Sequence, residues 1–129
     1  MKTFSKPQRL VYDPHSDMFD YAPEPQTAHL TADSDARKDV PMATGVLDYF
    51  PDALAAVARL SKIGNDKHNP GQPLHWSREK SSDHADCIVR HLVDRGTVDK
   101  DGELHDVKVA WRALALCQLA EEKRKKGGE

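Results

Sequence analysis

The sequence lacks most of what holds secreted and membrane proteins together. Its 129 residues include only two cysteines, Cys87 and Cys117. They fall in no CxxC or Cys/His spacing, which argues against a disulfide framework or a zinc-finger-type site and leaves two reduced thiols. No apolar run approaches the roughly 20 residues that a membrane helix requires. The first residues, MKTFSKPQRLVYDP, begin with a basic side chain but have no apolar stretch behind it. No secretory signal is therefore expected, and the protein is expected to remain in the cytoplasm. A formal net charge of -2 gives no general attraction to nucleic acid.

What is present is the composition of a globular protein, with 31% charged and 38% hydrophobic residues. The chain changes character near residue 40. Residues 1–40 carry Pro7, Pro14, Pro23 and Pro25 and no sustained period of 3.6 or 2.0, so they read as an extended arm or tail. Phe4, Tyr12, Phe19 and Tyr21 suggest that this arm packs on its own domain or on a second subunit. Residues 41–122 read as one helical domain, and 123–129 as a charged tail in which Lys123, Arg124, Lys125 and Lys126 follow Glu121 and Glu122.

Three principal helices are expected, giving a mainly α fold. Pro51 and Asp52 suit a first helical turn, and Leu54, Val57, Ala58 and Leu60 form a stripe that ends at Gly64, predicting a helix over 51–63. A second, over 82–95, has Ser81 or Ser82 as its cap, Ala85, Ile88, Val89, Leu92 and Val93 as its apolar face, and Gly96 beyond its end. After the turn Asp99-Lys100-Asp101-Gly102, the stretch Val107–Ala120 holds only Lys108, Arg112 and Gln118 as strongly polar residues. It predicts a long, mostly buried third helix. Two modest neighbours cannot cover such a helix, so either the arm and Val46–Phe50 complete the packing or a homo-oligomer does.

The connection Asn65–Lys80, NDKHNPGQPLHWSREK, exceeds the length at which structureless loops become uncommon unless functional. It gathers Lys67, His68, His75, Arg78 and Lys80 around Trp76. Cations with one flat apolar surface suit a nucleotide, because phosphates take charge-assisted hydrogen bonds and a base stacks on an indole. The same residues also suit a loop pinned to the core by Leu74 and Trp76. On the second helix, at about 100° per residue, His84, His91 and Arg95 fall in one column at the rim of the apolar face. That column can hold phosphate or place a histidine for acid-base work.

Hydrolysis of a phosphate ester by a small helical protein calls for carboxylates that hold Mg2+ or Mn2+. The candidate metal ligands are Asp83, Asp86, Asp99 and Asp106, with His84, His91 and His105 as candidate catalytic residues. Asp83 also suits a helix N-terminus, and Asp99 and Asp101 a turn.

Three segments taken together carry a family resemblance: KDVPMATGVLDYFPDALAAVARLSKIGNDKHNPGQPLHW, DHADCIVRHLVDRG and DGELHDVKVAWRALALCQL. In this order they resemble the phage-associated dATP/dGTP diphosphohydrolase, N-terminal domain family, over about residues 37–122. The resemblance implies a mostly helical fold, a phage-infected or lysogenic bacterial host, and work on deoxynucleotides. The ExxE pair that accompanies ExxD in MazG-type pyrophosphohydrolases is absent, and His105-Asp106 supplies only one part of an HD-type metal site. Two readings follow. One is an enzyme that hydrolyses purine deoxynucleoside triphosphates. The other is a non-catalytic phage anti-defence sponge that sequesters a nucleotide-derived immune signal.

Overall fold

The computed structural model describes residues 10–13, 18–21 and 33–127. The described residues are mainly helical, as the sequence predicts. Four helices occur in chain order: α1, Ser34–Lys38; α2, Pro51–His68; α3, His84–Val93; and α4, His105–Gly127. Within the arm, β1 (Leu10–Asp13) and β2 (Met18–Tyr21) pair antiparallel, with Leu10 opposite Tyr21 and Tyr12 opposite Phe19. Phe4, and the packing of the arm's side chains, lie outside the described residues.

The chain divides into two compact units, 1–51 with 62–75, and 52–61 with 76–129. In the first unit, Asp33 caps α1 by accepting from the Asp35 N–H at 3.0 Å. A π-helical turn at Ala43–Leu47 follows. In the segment Val46–Phe50, Val46, Leu47, Tyr49 and Phe50 are exposed, with Tyr49 and Phe50 edge to face at 6.0 Å.

Helix α2 does not stop at Gly64 but continues to His68. A glycine inside a helix costs only about 1 kcal/mol, and Lys62 and Asp66, one turn apart, pair across it at 2.7 Å. Asn69 and Pro70 end the helix, and Gly71 turns the chain at φ +76°. The buried Asn65 donates from Nδ2 to the Gln72 carbonyl at 2.8 Å, which ties the start of the following loop to the last helical turn.

The second unit is built on α3 packed against α4. Helix α3 is shorter than its pattern predicts, with Asp83 rather than a serine at its N-cap and Gly96, at φ +81°, beyond its end. It is also rotated relative to the expected face. His84 and Cys87 are buried, with Ile88 and His91 half-buried beside them, whereas Val89, Leu92 and Val93 are exposed. The histidine column is therefore on the inner face. The reason is chemical: α4 offers Arg112 and His105 as polar partners for the two imidazoles, which an apolar-only reading of the pattern does not register.

Helix α4 is longer than expected and less buried. It begins at His105 and includes the supposed charged tail up to Gly127, where Arg124 pairs with Glu121 one turn earlier and the terminal cations complement the helix dipole. Ala115 is buried, but Leu114 and Leu116 are 52% and 46% exposed. The N-terminal half of α2 joins this unit through two side chains. Arg59 pairs with Glu103 at 3.0 Å, and Ser61 Oγ accepts from the Trp111 indole N–H at 2.7 Å.

Candidate functional site

The geometry of the second unit is organised by the short turn between α3 and α4. Val98 and Leu104 form an isolated antiparallel bridge, Asp99 N–H donates to the Glu103 carbonyl at 2.8 Å, and Gly102 at φ +86° closes the turn. A β-carbon disfavours that backbone conformation, which explains the glycine after Asp101. The bridge places Asp99 beside His105, the first residue of α4. His91, in the last turn of α3, reaches both.

His91 Nδ1 and His105 Nδ1 are 2.8 Å apart, with ring centroids at 5.1 Å. His105 Nδ1 lies 4.0 Å from Asp99 Oδ2. Across the back of the turn, Lys108 Nζ donates to Asp99 Oδ2 at 2.6 Å and to Asp101 Oδ2 at 2.7 Å. These contacts set the electrostatics. The Lys108 hydrogen bond, helped by the Lys100 backbone N–H, lowers the Asp99 carboxyl to about 2. Asp101 is lowered by the same ammonium. Burial works against the charged form of Lys108, but the bonds from Asp101 and Asp99 outweigh it and raise the ammonium above its usual range. Burial, followed by the proximity of His105 and Lys108, depresses His91 below the usual imidazole range.

At the other end of α3, Arg112 donates to His84 Nδ1 at 3.2 Å and also to Ser81 Oγ. Since Nδ1 accepts, the His84 proton sits on Nε2, a buried atom with no hydrogen-bond partner among the described residues. Asp83 is engaged by Arg90 at 3.2 Å and Ser81 at 3.1 Å. Arg90, then Ser81 and Cys87, lower its carboxyl to about 2.

The other sequence candidates are dispersed. In the first unit, Lys67 and His68 are exposed on the last turn of α2, and His75 is half-buried in the loop. In the second, Trp76 meets Trp111 edge to face at 5.7 Å, and the Arg78 guanidinium covers a Trp76 face at 4.2 Å while pairing with Glu122 at 3.0 Å. Arg78 in turn lowers the Glu122 carboxyl. Lys80 and Asp86 are exposed, and Arg95 folds back to donate to the Leu92 carbonyl at 3.0 Å. Asp106 accepts the Gly96 backbone N–H at 2.6 Å. Glu103 and Asp106 have the ExxD spacing without an ExxE partner, and Glu103 is held by Arg59.

Of the proposed metal-binding and catalytic residues, the structure thus brings together Asp99, His91 and His105, whose candidate ligand atoms all lie within 4.8 Å of one another. Sequence spacing named all three but did not group them. Lys108 beside Asp99, and Arg112 and Ser81 beside His84, are neighbours that spacing alone does not indicate. The signal available for Lys108 and Arg112 was that they are the two cations of an otherwise apolar stretch, one helical turn apart.

No described helix is long and apolar enough to cross a membrane. Comparisons with curated proteins and with solved structures return no match. The sequence profile described as dATP/dGTP diphosphohydrolase, N-terminal, matches residues 27–128, most of the chain. The chain belongs to the dATP/dGTP diphosphohydrolase N-terminal domain family.

Proposed function

We propose that this protein acts on purine deoxynucleoside triphosphates, hydrolysing dATP or dGTP to the monophosphate and pyrophosphate through attack of water at the α-phosphorus. The observation that carries the reading is the family match over residues 27–128. It is supported by the chemistry of the α3–α4 unit. Arg112 is a half-buried cation on α4, suited to a phosphate oxygen, and His91 and His105 are imidazoles suited to proton transfer. In this reading a divalent ion, Mg2+ or Mn2+, assists the reaction.

The acting form in this reading is a homo-oligomer in the cytoplasm of a phage-infected bacterium. Support for a second copy comes from Val89, Leu92 and Val93 on α3 and Leu114 and Leu116 on α4, which are exposed large hydrophobic side chains. Light scattering should report a mass above that of one 14.4 kDa chain.

The decisive experiment incubates the protein with each of the four deoxynucleoside triphosphates in Mg2+ or Mn2+ and analyses both products and retained ligand. Release of dAMP or dGMP with pyrophosphate is expected. Ligand recovered intact after denaturation, with no turnover in either metal, would overturn hydrolysis and assign the protein as a nucleotide sponge. Neither turnover nor retention would overturn both.

A further inference from the structure

We propose that His91, Asp99 and His105 form a transition-metal site, and that its ligand atoms are the two Nδ1 nitrogens and Asp99 Oδ2. The proposal does not depend on the nucleotide reading. It rests on how three donors from three separate elements converge. His91 comes from the end of α3, Asp99 from the bridged turn, and His105 from the first position of α4. Their ligand atoms lie within 4.8 Å of one another, and none of the three residues is exposed.

The arrangement is close to what an ion requires. With metal–nitrogen bonds of about 2.0–2.1 Å, a tetrahedral centre sets its ligand nitrogens about 3.3 Å apart. The two Nδ1 atoms stand at 2.8 Å, so seating an ion needs them to part by about half an ångström. Without an ion, the two rings must share one proton between the same two nitrogens, since two facing N–H groups would repel. An ion replaces that proton and also satisfies the second lone pair. Asp99 Oδ2, at 4.0 Å from His105 Nδ1, is already turned toward the pair.

Donor type selects the class of metal. Two imidazoles with one carboxylate suit Zn2+, Co2+, Ni2+ or Fe2+, whereas Mg2+ and Ca2+ require oxygen donors. Three protein ligands leave a coordination position for water or a ligand oxygen. Lys108 serves as an outer-shell group. Its bond to Asp99 orients the carboxylate, and its positive charge reduces affinity for a dication, so binding should be reversible rather than permanent.

The test uses the full chain, freed of metal with EDTA, and metal alone. Titration calorimetry with Zn2+ should give one ion per chain, and Co2+ should develop the visible absorption of a four-coordinate nitrogen- and oxygen-ligated ion. His91→Ala, His105→Ala and Asp99→Asn should each weaken binding at least tenfold. In case an alanine variant fails to fold, imidazole proton–nitrogen correlation spectra of the unmodified chain provide a second readout. Zn2+ should move the Nδ1 resonances of His91 and His105 while leaving those of His68 and His75 in place. Binding that survives all three substitutions, Nδ1 resonances that do not move, or no binding of Zn2+, Co2+ or Ni2+ would overturn the proposal.

Discussion

The long loop after α2 and the short turn after α3 both break the helical pattern with polar residues, yet they use them in opposite ways. In and just before the loop, Trp76, Arg78 and Asn65 are occupied in holding the chain down, while Lys80 is exposed. Trp76 rests on Trp111, Arg78 lies over Trp76 and pairs with Glu122, and Asn65 holds the Gln72 carbonyl. The turn is much shorter but gathers two imidazoles, two carboxylates and an ammonium within hydrogen-bonding or near hydrogen-bonding range of one another. Loop length marks where regular structure stops. Convergence marks where chemistry can occur, and here it is achieved by a bridged turn that fixes Asp99 and His105 on one rigid scaffold.

The largest expected effect would break this comparison if it failed. Should Trp76 act as a strap, Trp76→Ala removes a half-buried aromatic and its edge-to-face partner, at a cost of about 2–3 kcal/mol. Urea denaturation would measure it as a lower midpoint. A variant as stable as the parent but weakened in nucleotide retention would instead return the indole to the role of a base-stacking surface.

The sequence was legible where periodicity and composition carry the signal. The mainly α class, the three principal helices and Gly96 as a stop beyond α3 follow from spacing and from the backbone freedom of glycine. It was misleading at Gly64, because a single glycine lowers helix propensity without ending the hydrogen-bond ladder; the stop comes from Asn69 and Pro70. It was also misleading about which face of α3 is inside. An apolar count favours Val89, Leu92 and Val93, but the buried side is chosen by hydrogen-bond partners that only a tertiary structure supplies: Arg112 for His84 and His105 for His91. The site residues were named individually for the same reason. Asp99 and His105 are near neighbours in sequence, but nothing in the spacing says that His91, more than three helical turns' worth of residues before His105, closes the group.

A smaller effect sharpens the description of the strap. Trp111 is the surface on which Trp76 rests, and its own indole is fixed by Ser61. Ser61→Ala leaves that part-buried N–H without its acceptor and should cost about 1 kcal/mol, read from the same denaturation curves. Combined with Trp76→Ala, the losses should be less than additive, because the two changes act on one shared ring.

The smallest effect separates the two regions by electrostatics alone. Asp83, where the long loop meets α3, and Asp99, in the turn, are both lowered to about 2, the first by exposed Arg90 and the second by Lys108. A carboxyl lowered on folding contributes stability that is present above its unfolded value of 3.8 and is lost as pH falls through about 2. Salt should distinguish the partners. The Arg90–Asp83 side chains are 61% and 50% exposed, against 17% and 22% for Lys108–Asp99, so mobile ions screen the first pair far more than the second. Carbon-detected titration of the metal-free protein at low and high ionic strength should show Asp83 returning toward 3.8 in salt while Asp99 stays low. Equal recovery at both positions would mean that the turn is no better sheltered than the loop, and that its carboxylate is held by charge alone rather than by the geometry of the bridge.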